Sequence, residues 1–87
     1  MMNATIPPRL YWSCRRGMLE LDVLLGNFLA EAYLKLSIKD QDLFVKLLDC
    51  NDQELFEWLT GRTQSAQPEF TNLIHQIREH AKHRHTS

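Results

Sequence analysis

The sequence has little of what nucleotide-binding enzymes and secreted proteins usually need. Its three glycines stand apart from one another, so no glycine-rich loop is available to hold the phosphates of a nucleotide. Its two cysteines, Cys14 and Cys50, have no Cys-x-x-Cys spacing, and no charged segment followed by an apolar run marks the chain for export. We therefore expect a cytoplasmic protein whose thiols are reduced and behave as small buried hydrophobes.

Histidines are missing from all but the end of the chain. All four lie within the last thirteen residues, far in sequence from either cysteine, so no pattern pairs a nucleophile with a base. The histidines of the segment HAKHRH suggest a metal site, but small structural zinc sites usually take ligands from separated segments. We interpret it as a solvated basic tail and predict no metal ion.

Long apolar runs are also absent, and none approaches the ~20 residues of a membrane span. What is present is the composition of one folded domain: 87 residues, 44% hydrophobic and 24% charged. The net charge of −1 gives the molecule no general attraction for nucleic acid or anionic membranes. We therefore expect neither nucleic-acid binding nor membrane insertion.

Charge is unevenly distributed along the chain. Up to Leu19 the formally charged side chains are three arginines, whereas six acids and one lysine lie from Asp40 to Glu57. The acids fall in the first turns of predicted helices, where capping and the helix dipole favour them. The charge pattern therefore predicts a polarised molecule without requiring an acidic binding site.

The apolar residues recur at helical spacing throughout the chain. The sequence predicts a short first helix in RLYWSCRR, a second with an apolar stripe from Leu21 to Leu36, and a fifth that begins at Pro68. A third helix follows an N-cap at Ser37 and ends near Cys50. The fold class is all-α, a small antiparallel bundle of about five helices.

Local details accompany this assignment. In the first helix we expect Leu10, Tyr11 and Cys14 to lie on one side. The fourth helix is predicted after a cap at Asn51 or Asp52, with inward-facing Leu55, Phe56 and Leu59 and a closing Gly61. Residues 1–87 form one domain, with a flexible N-terminus at 1–8 and a frayed basic tail at 82–87.

The stretch SCRRGMLELD, residues 13–22, is less easily explained. Gly17 would end the first helix or N-cap the second, which places Glu20 at the N3 position. This leaves Arg15, Arg16 and Asp22 unexplained. The two arginines are also unfavourable beside a helix N-terminus unless they reach acids or carbonyls. Arg16 is expected to meet Glu20 or an acid of a partner.

A family resemblance is carried by these residues. The Arg-Gly-x-x-Glu core at Arg16, Gly17 and Glu20, the following Leu-x-Asp, the upstream Trp12 and the downstream LFVKLLDCNDQELFEWLTG resemble the succinate dehydrogenase assembly factor 2 family. That family includes the bacterial FAD assembly factors, or flavinators. The resemblance extends from about Arg9 to about Ile77, and the family's fold is a small five-helix bundle.

The resemblance implies a chaperone, not an enzyme. Family members promote covalent FAD attachment to the flavoprotein subunit of succinate dehydrogenase and, in some bacteria, of fumarate reductase. The bond joins a histidine of the flavoprotein to the 8α-methyl carbon of the flavin, so no cofactor need bind stably to the small protein. The motif assigns flavoprotein docking to six residues that should matter little to the fold: Arg16, Gly17 and Glu20, with Asp22, Arg15 and Trp12 beside them.

The alternative is a small helical nucleic-acid-binding module or a toxin–antitoxin component. In that case Arg15 and Arg16 would contact phosphates. The net charge, the acidic segment and the lack of a basic recognition helix argue against nucleic-acid binding, whereas the sequence neither supports nor excludes a toxin–antitoxin role. A titration with duplex DNA at several salt concentrations discriminates the two, since phosphate contacts weaken steeply with salt.

Overall fold

The computed structural model describes residues 5–85 and confirms an all-α fold. Among these residues there are five α-helices, one 3-10 turn at Tyr33–Lys35, and no β-strand. The α-helices are α1 (Pro8–Ser13), α2 (Leu19–Ala32), α3 (Ile38–Leu47), α4 (Asp52–Leu59) and α5 (Pro68–His85). None of them combines the length and the apolar character that a bilayer span requires.

The last helix is the centre of the bundle. Helix α5 packs against α2, α3 and α4, and α1 packs against α2. The rings of Phe28, Tyr33 and Phe44 meet in the core, with centroid distances from Phe44 of 5.7 and 5.8 Å. Each fully buried Leu or Phe side chain contributes roughly 1.5–3 kcal/mol by leaving water. The predicted stripes of α2, α3 and α5 supply most of this core, including Leu21, Leu25, Leu29, Leu47, Leu73 and Ile77.

The caps of α3 and α4 agree with the sequence predictions. The Ser37 hydroxyl accepts a hydrogen bond from the backbone N–H of Asp40 at 3.1 Å, and the Asn51 side chain accepts one from Glu54 at 2.8 Å. Asn51 is therefore the cap of α4, with Asp52 in its first turn. Gly61 follows the C-cap of α4 with φ +82°, as a C′ glycine does.

Helix α1 places two of its three predicted apolar residues in the core. Leu10 and Cys14 are buried one helical turn apart, but Tyr11 is 47% exposed and does not share their buried side. In α4, Phe56 is likewise only half-buried and lies under the guanidinium of Arg62, 5.5 Å from its ring centroid. Both elements are short, and each presents only a narrow face to the core.

The C-terminal segment is more ordered than predicted. Instead of fraying after Ala81, α5 continues to His85, while residues 86–87, like 1–4, lie outside the described part of the chain. In this segment Glu31 of α2 pairs with His80 at 2.9 Å and accepts a hydrogen bond from Arg84. These contacts join the last turns of α5 to α2.

We expect this contact to depend on pH. The Arg84 hydrogen bond and the nearby positive charges hold the pKa of Glu31 below its ordinary value of 4.5, so the contact is complete above that pH and is lost as the pH falls through the lower, folded-state value. Replacing Arg84 by Gln should raise the pKa of the Glu31 carboxyl towards 4.5, as followed by its carbon-13 chemical shift. Lys82→Gln is the matched control, because Lys82 pairs with Glu79 and not with Glu31. Equal titrations of Glu31 in the wild type and in Arg84→Gln would contradict the assignment.

Candidate functional site

The Arg-Gly-x-x-Glu motif lies in the connector between α1 and α2 and in the first turn of α2. Gly17 neither ends α1 nor caps α2: the C-cap of α1 is Cys14 and the N-cap of α2 is Met18. Gly17 instead has φ +87°, a left-handed conformation that turns the chain between the helices. Glu20 accordingly occupies the N2 position and not the predicted N3.

Asp22 holds this connector in place. Its Oδ1 accepts a hydrogen bond of 2.6 Å from the backbone N–H of Arg16. Met18 offers no side-chain cap to α2, so this carboxylate in the first turn is what ties the connector to the helix. Asp22, predicted as a docking residue, therefore has a structural role.

Arg16 joins two distant connections of the bundle. Its Nη2 donates to the backbone carbonyl of Leu48, which caps the C-terminus of α3, and lies 3.4 Å from the carbonyl of Cys50. Its Nε lies 3.5 Å from the carboxylate of Asp52 at the start of α4, close enough for an ion pair although it makes no hydrogen bond. The side chain is only 17% exposed. The expected pairing of Arg16 with Glu20 is not formed.

These contacts give Arg16 and Asp22 a part in the protein's own fold, which the sequence did not predict. A guanidinium near a helix C-terminus compensates the partial negative charge of the last carbonyls. Arg16 does this for α3 while it balances an acid of α4, and its backbone is held by Asp22. Arg16 and Asp22, both partly buried, thus shape the connector from inside, and Gly17, which is exposed, supplies its turn.

The remaining motif residues face solvent. Trp12 is 74% exposed, and Arg15 and Glu20, which follow it in the chain, are also exposed. Two apolar residues that the sequence analysis did not select, Leu19 and Val23, are 80% and 50% exposed on the first turns of α2. We call these five residues the junction surface. Leu19 and Val23 could have been found from the sequence, because both are apolar positions outside the stripe that begins at Leu21.

The chemistry of this region favours binding over catalysis. Burial raises the pKa of the Cys14 thiol to about 11 and also raises the pKa of Cys50. Neither thiol is therefore a good nucleophile at neutral pH. Among the described residues no three metal-ligating side chains form a cluster that could hold an ion. Exposed aromatic and apolar side chains flanked by charges are the composition of a protein–protein contact.

The backbone at Gly17 gives a stability prediction. A Cβ at this position would meet no atom within 4 Å, so Gly17→Ala should cost only the strain of its left-handed φ, about 1–2 kcal/mol of unfolding free energy in urea denaturation. Gly26→Ala is the matched control, because Gly26 lies inside α2 and its Cβ also meets nothing within 4 Å. It should instead stabilise the fold by roughly 0.5–1 kcal/mol, since alanine is the better helix former. Equal effects of the two substitutions would contradict this account of the connector.

Known proteins match most of this chain in sequence. Residues 8–81 match the protein family described as the flavinator of succinate dehydrogenase. The chain is 47% identical over 74 residues to the FAD assembly factor SdhE of Pseudomonas putida, covering 85% of this chain and 88% of that protein. It is 47% identical over 73 residues to the protein of the same name from Shewanella oneidensis, covering 84% and 89%. With the SdhE of Aliivibrio fischeri it shares 40% over 80 residues, covering 92% and 93%.

The matched region contains α1 to α4 and all of α5 except its last turn. It also contains the whole connector with its motif. The resemblance predicted from the motif is therefore confirmed over nearly the entire chain. The chain belongs to the family of flavinators of succinate dehydrogenase.

Proposed function

We propose that this protein binds the flavoprotein subunit of succinate dehydrogenase and promotes the covalent attachment of FAD to it. The observation that carries the proposal is the family match over residues 8–81, which includes the connector and its motif. The protein acts as an assembly chaperone: it holds the flavoprotein in an arrangement in which the flavin bond forms. The reacting groups belong to the flavoprotein and the flavin, and FAD does not bind stably to this chain.

The junction surface is the part of the molecule that docks. Trp12, Leu19 and Val23 offer exposed apolar area, and burying such side chains against a partner is a main source of binding energy. Arg15 and Glu20 flank them with charges of opposite sign, which favours one orientation of the partner. Arg16, Gly17 and Asp22 support docking indirectly, by fixing the connector that presents these side chains.

We further propose that fumarate reductase is a second client and that the protein acts in the cytoplasm. The support for both is the family resemblance of the Arg-Gly-x-x-Glu segment. The measurement that separates the two clients is the covalent flavin content of each flavoprotein, compared in cells with and without this gene.

Deletion of the gene is the direct test of the proposed function. The denatured flavoprotein subunit of succinate dehydrogenase should lose most of its flavin fluorescence in a gel, and a plasmid copy of the gene should restore it. Unchanged covalent flavin in the deletion strain under all growth conditions would refute the proposal. Purified protein should also show no salt-sensitive binding to duplex DNA, which the nucleic-acid alternative requires.

A further inference from the structure

A cavity lies at the C-terminal end of α4. None of the five residues of the junction surface lines it. It has a volume of about 180 Å³ and lies between the end of α4, the loop that follows it and the first half of α5. The residues that line it include Trp58, Thr63, Ser65, Thr71, His75 and Arg78.

Three polar side chains of α5 face this cavity from one side. Thr71, His75 and Arg78 are spaced by four and three residues, so they form one stripe of the helix. This stripe is distinct from the buried stripe of Phe70, Leu73, Ile74 and Ile77, and packing of the core does not account for it.

The guanidinium of Arg78 lies close to Gly61 in the loop after α4. A Cβ at Gly61 would lie 2.7 Å from Nη2 of Arg78. Arg78 is exposed and has neither a hydrogen-bond acceptor nor an ion-pair partner among the described residues. Its donors are therefore open to a ligand from solution.

The other polar groups of the cavity are also largely unpaired. The hydroxyls of Thr63 and Thr71 and the indole N–H of Trp58 make no hydrogen bond within residues 5–85, while the Ser65 hydroxyl accepts the backbone N–H of Gln67 at 3.1 Å. No carboxylate lines the cavity. Glu20 lines a separate cavity on the other side of Arg78 and forms no ion pair with it among the described residues.

We propose that this cavity binds a small oxyanion from solution, a phosphate or a carboxylate. An arginine fork makes paired, charge-assisted hydrogen bonds to such groups, and hydroxyls and an indole N–H supply further donors. The ring of Trp58, which packs at a tilt against buried Phe70 with centroids 6.3 Å apart, forms one wall of the site. The cavity is large enough for an anion of a few heavy atoms but far too small for a dinucleotide. This inference is independent of the proposed function, because no flavoprotein takes part in it.

Nuclear magnetic resonance titration tests the site. Inorganic phosphate and succinate are added in separate arms to nitrogen-15-labelled full-length protein, and sodium chloride of equal ionic strength is a third arm. Saturable shifts of the Trp58 indole and the amides of residues 61–65 are expected with at least one of the two oxyanions and not with chloride. The arm that saturates identifies the ligand class.

Variants separate the site from general charge effects. Arg78→Gln should weaken the binding about tenfold or more, because a charge-assisted hydrogen-bond pair is lost. Arg62→Gln, in the same loop, is the matched control and should bind like the wild type, because its guanidinium lies over Phe56. Thr71→Val is a second variant that should also weaken binding and keeps the test valid if Arg78→Gln does not fold. Shifts that chloride reproduces, absence of saturation, or equal weakening by Arg62→Gln would overturn the proposal.

Discussion

Replacing Arg16 by Ala should lower the free energy of unfolding by about 2–3 kcal/mol, the largest stability effect expected of any motif residue. The substitution removes the donor to the Leu48 carbonyl at the end of α3 and the ion-pair partner of Asp52 at the start of α4. Because the side chain is only 17% exposed, water compensates these losses incompletely. Urea denaturation followed by circular dichroism measures the change.

Arg15→Ala is the matched control for this experiment. Arg15 precedes Arg16 in the chain, is exposed, and has no side-chain partner among residues 5–85, so its loss should change stability by less than about 0.5 kcal/mol. Arg16→Lys should fall between the two, because an ammonium keeps the charge but cannot place one nitrogen at the two carbonyls, as Nη2 is, and a second near Asp52, as Nε is. Equal stability of the Arg15 and Arg16 variants would mean that the buried contacts of Arg16 contribute nothing to the fold.

A consequence follows for flavin attachment. If Arg16 shapes the connector, its variants should impair flavin attachment in proportion to the loss of folded protein or of connector order. A fully folded Arg16→Ala variant with no flavin attachment would instead favour direct contact with the flavoprotein, as the sequence alone suggested. Measuring unfolding free energy and covalent flavin on the same variants distinguishes the two roles.

The sequence could predict what depends on neighbours a few residues apart. The helices, the caps at Ser37 and Asn51, and the Gly61 terminus all rest on local spacing, and each was found. The same reasoning failed for Arg16, because its carbonyl acceptors lie 32 and 34 residues further along the chain. No local pattern encodes such a distance.

The end of α5 shows the same limit. Lys82–His85 has no apolar residue to bury, so the segment was expected to fray. It is helical in the structure, and its Arg84 contacts Glu31 of α2, 53 residues earlier in the chain. The sequence also could not show which motif residues are partly buried and which are exposed. Arg15 and Arg16 are adjacent and carry the same charge, and only the packing of four helices makes their surroundings different.

Replacing Trp12 by Ala should abolish most flavin attachment while leaving the fold intact. The side chain is 74% exposed, so its removal should change the free energy of unfolding by less than about 0.5 kcal/mol. An exposed tryptophan that becomes buried at the centre of an interface commonly contributes about 2 kcal/mol or more to binding. Affinity for the purified flavoprotein subunit should therefore fall about thirtyfold or more, as measured by calorimetry. Leu19→Ala should act in the same direction.

Ile38→Ala is the control that makes this result specific to the junction surface. Ile38 is 78% exposed, as accessible as Trp12, but it begins α3, outside the motif and the connector. If loss of any exposed apolar side chain weakened the complex, the two variants would behave alike. If the junction surface docks, Ile38→Ala should bind and complement like the wild type, whereas Trp12→Ala should do neither. Wild-type affinity of a folded Trp12→Ala, Leu19→Ala double variant would place the flavoprotein contact elsewhere on the bundle.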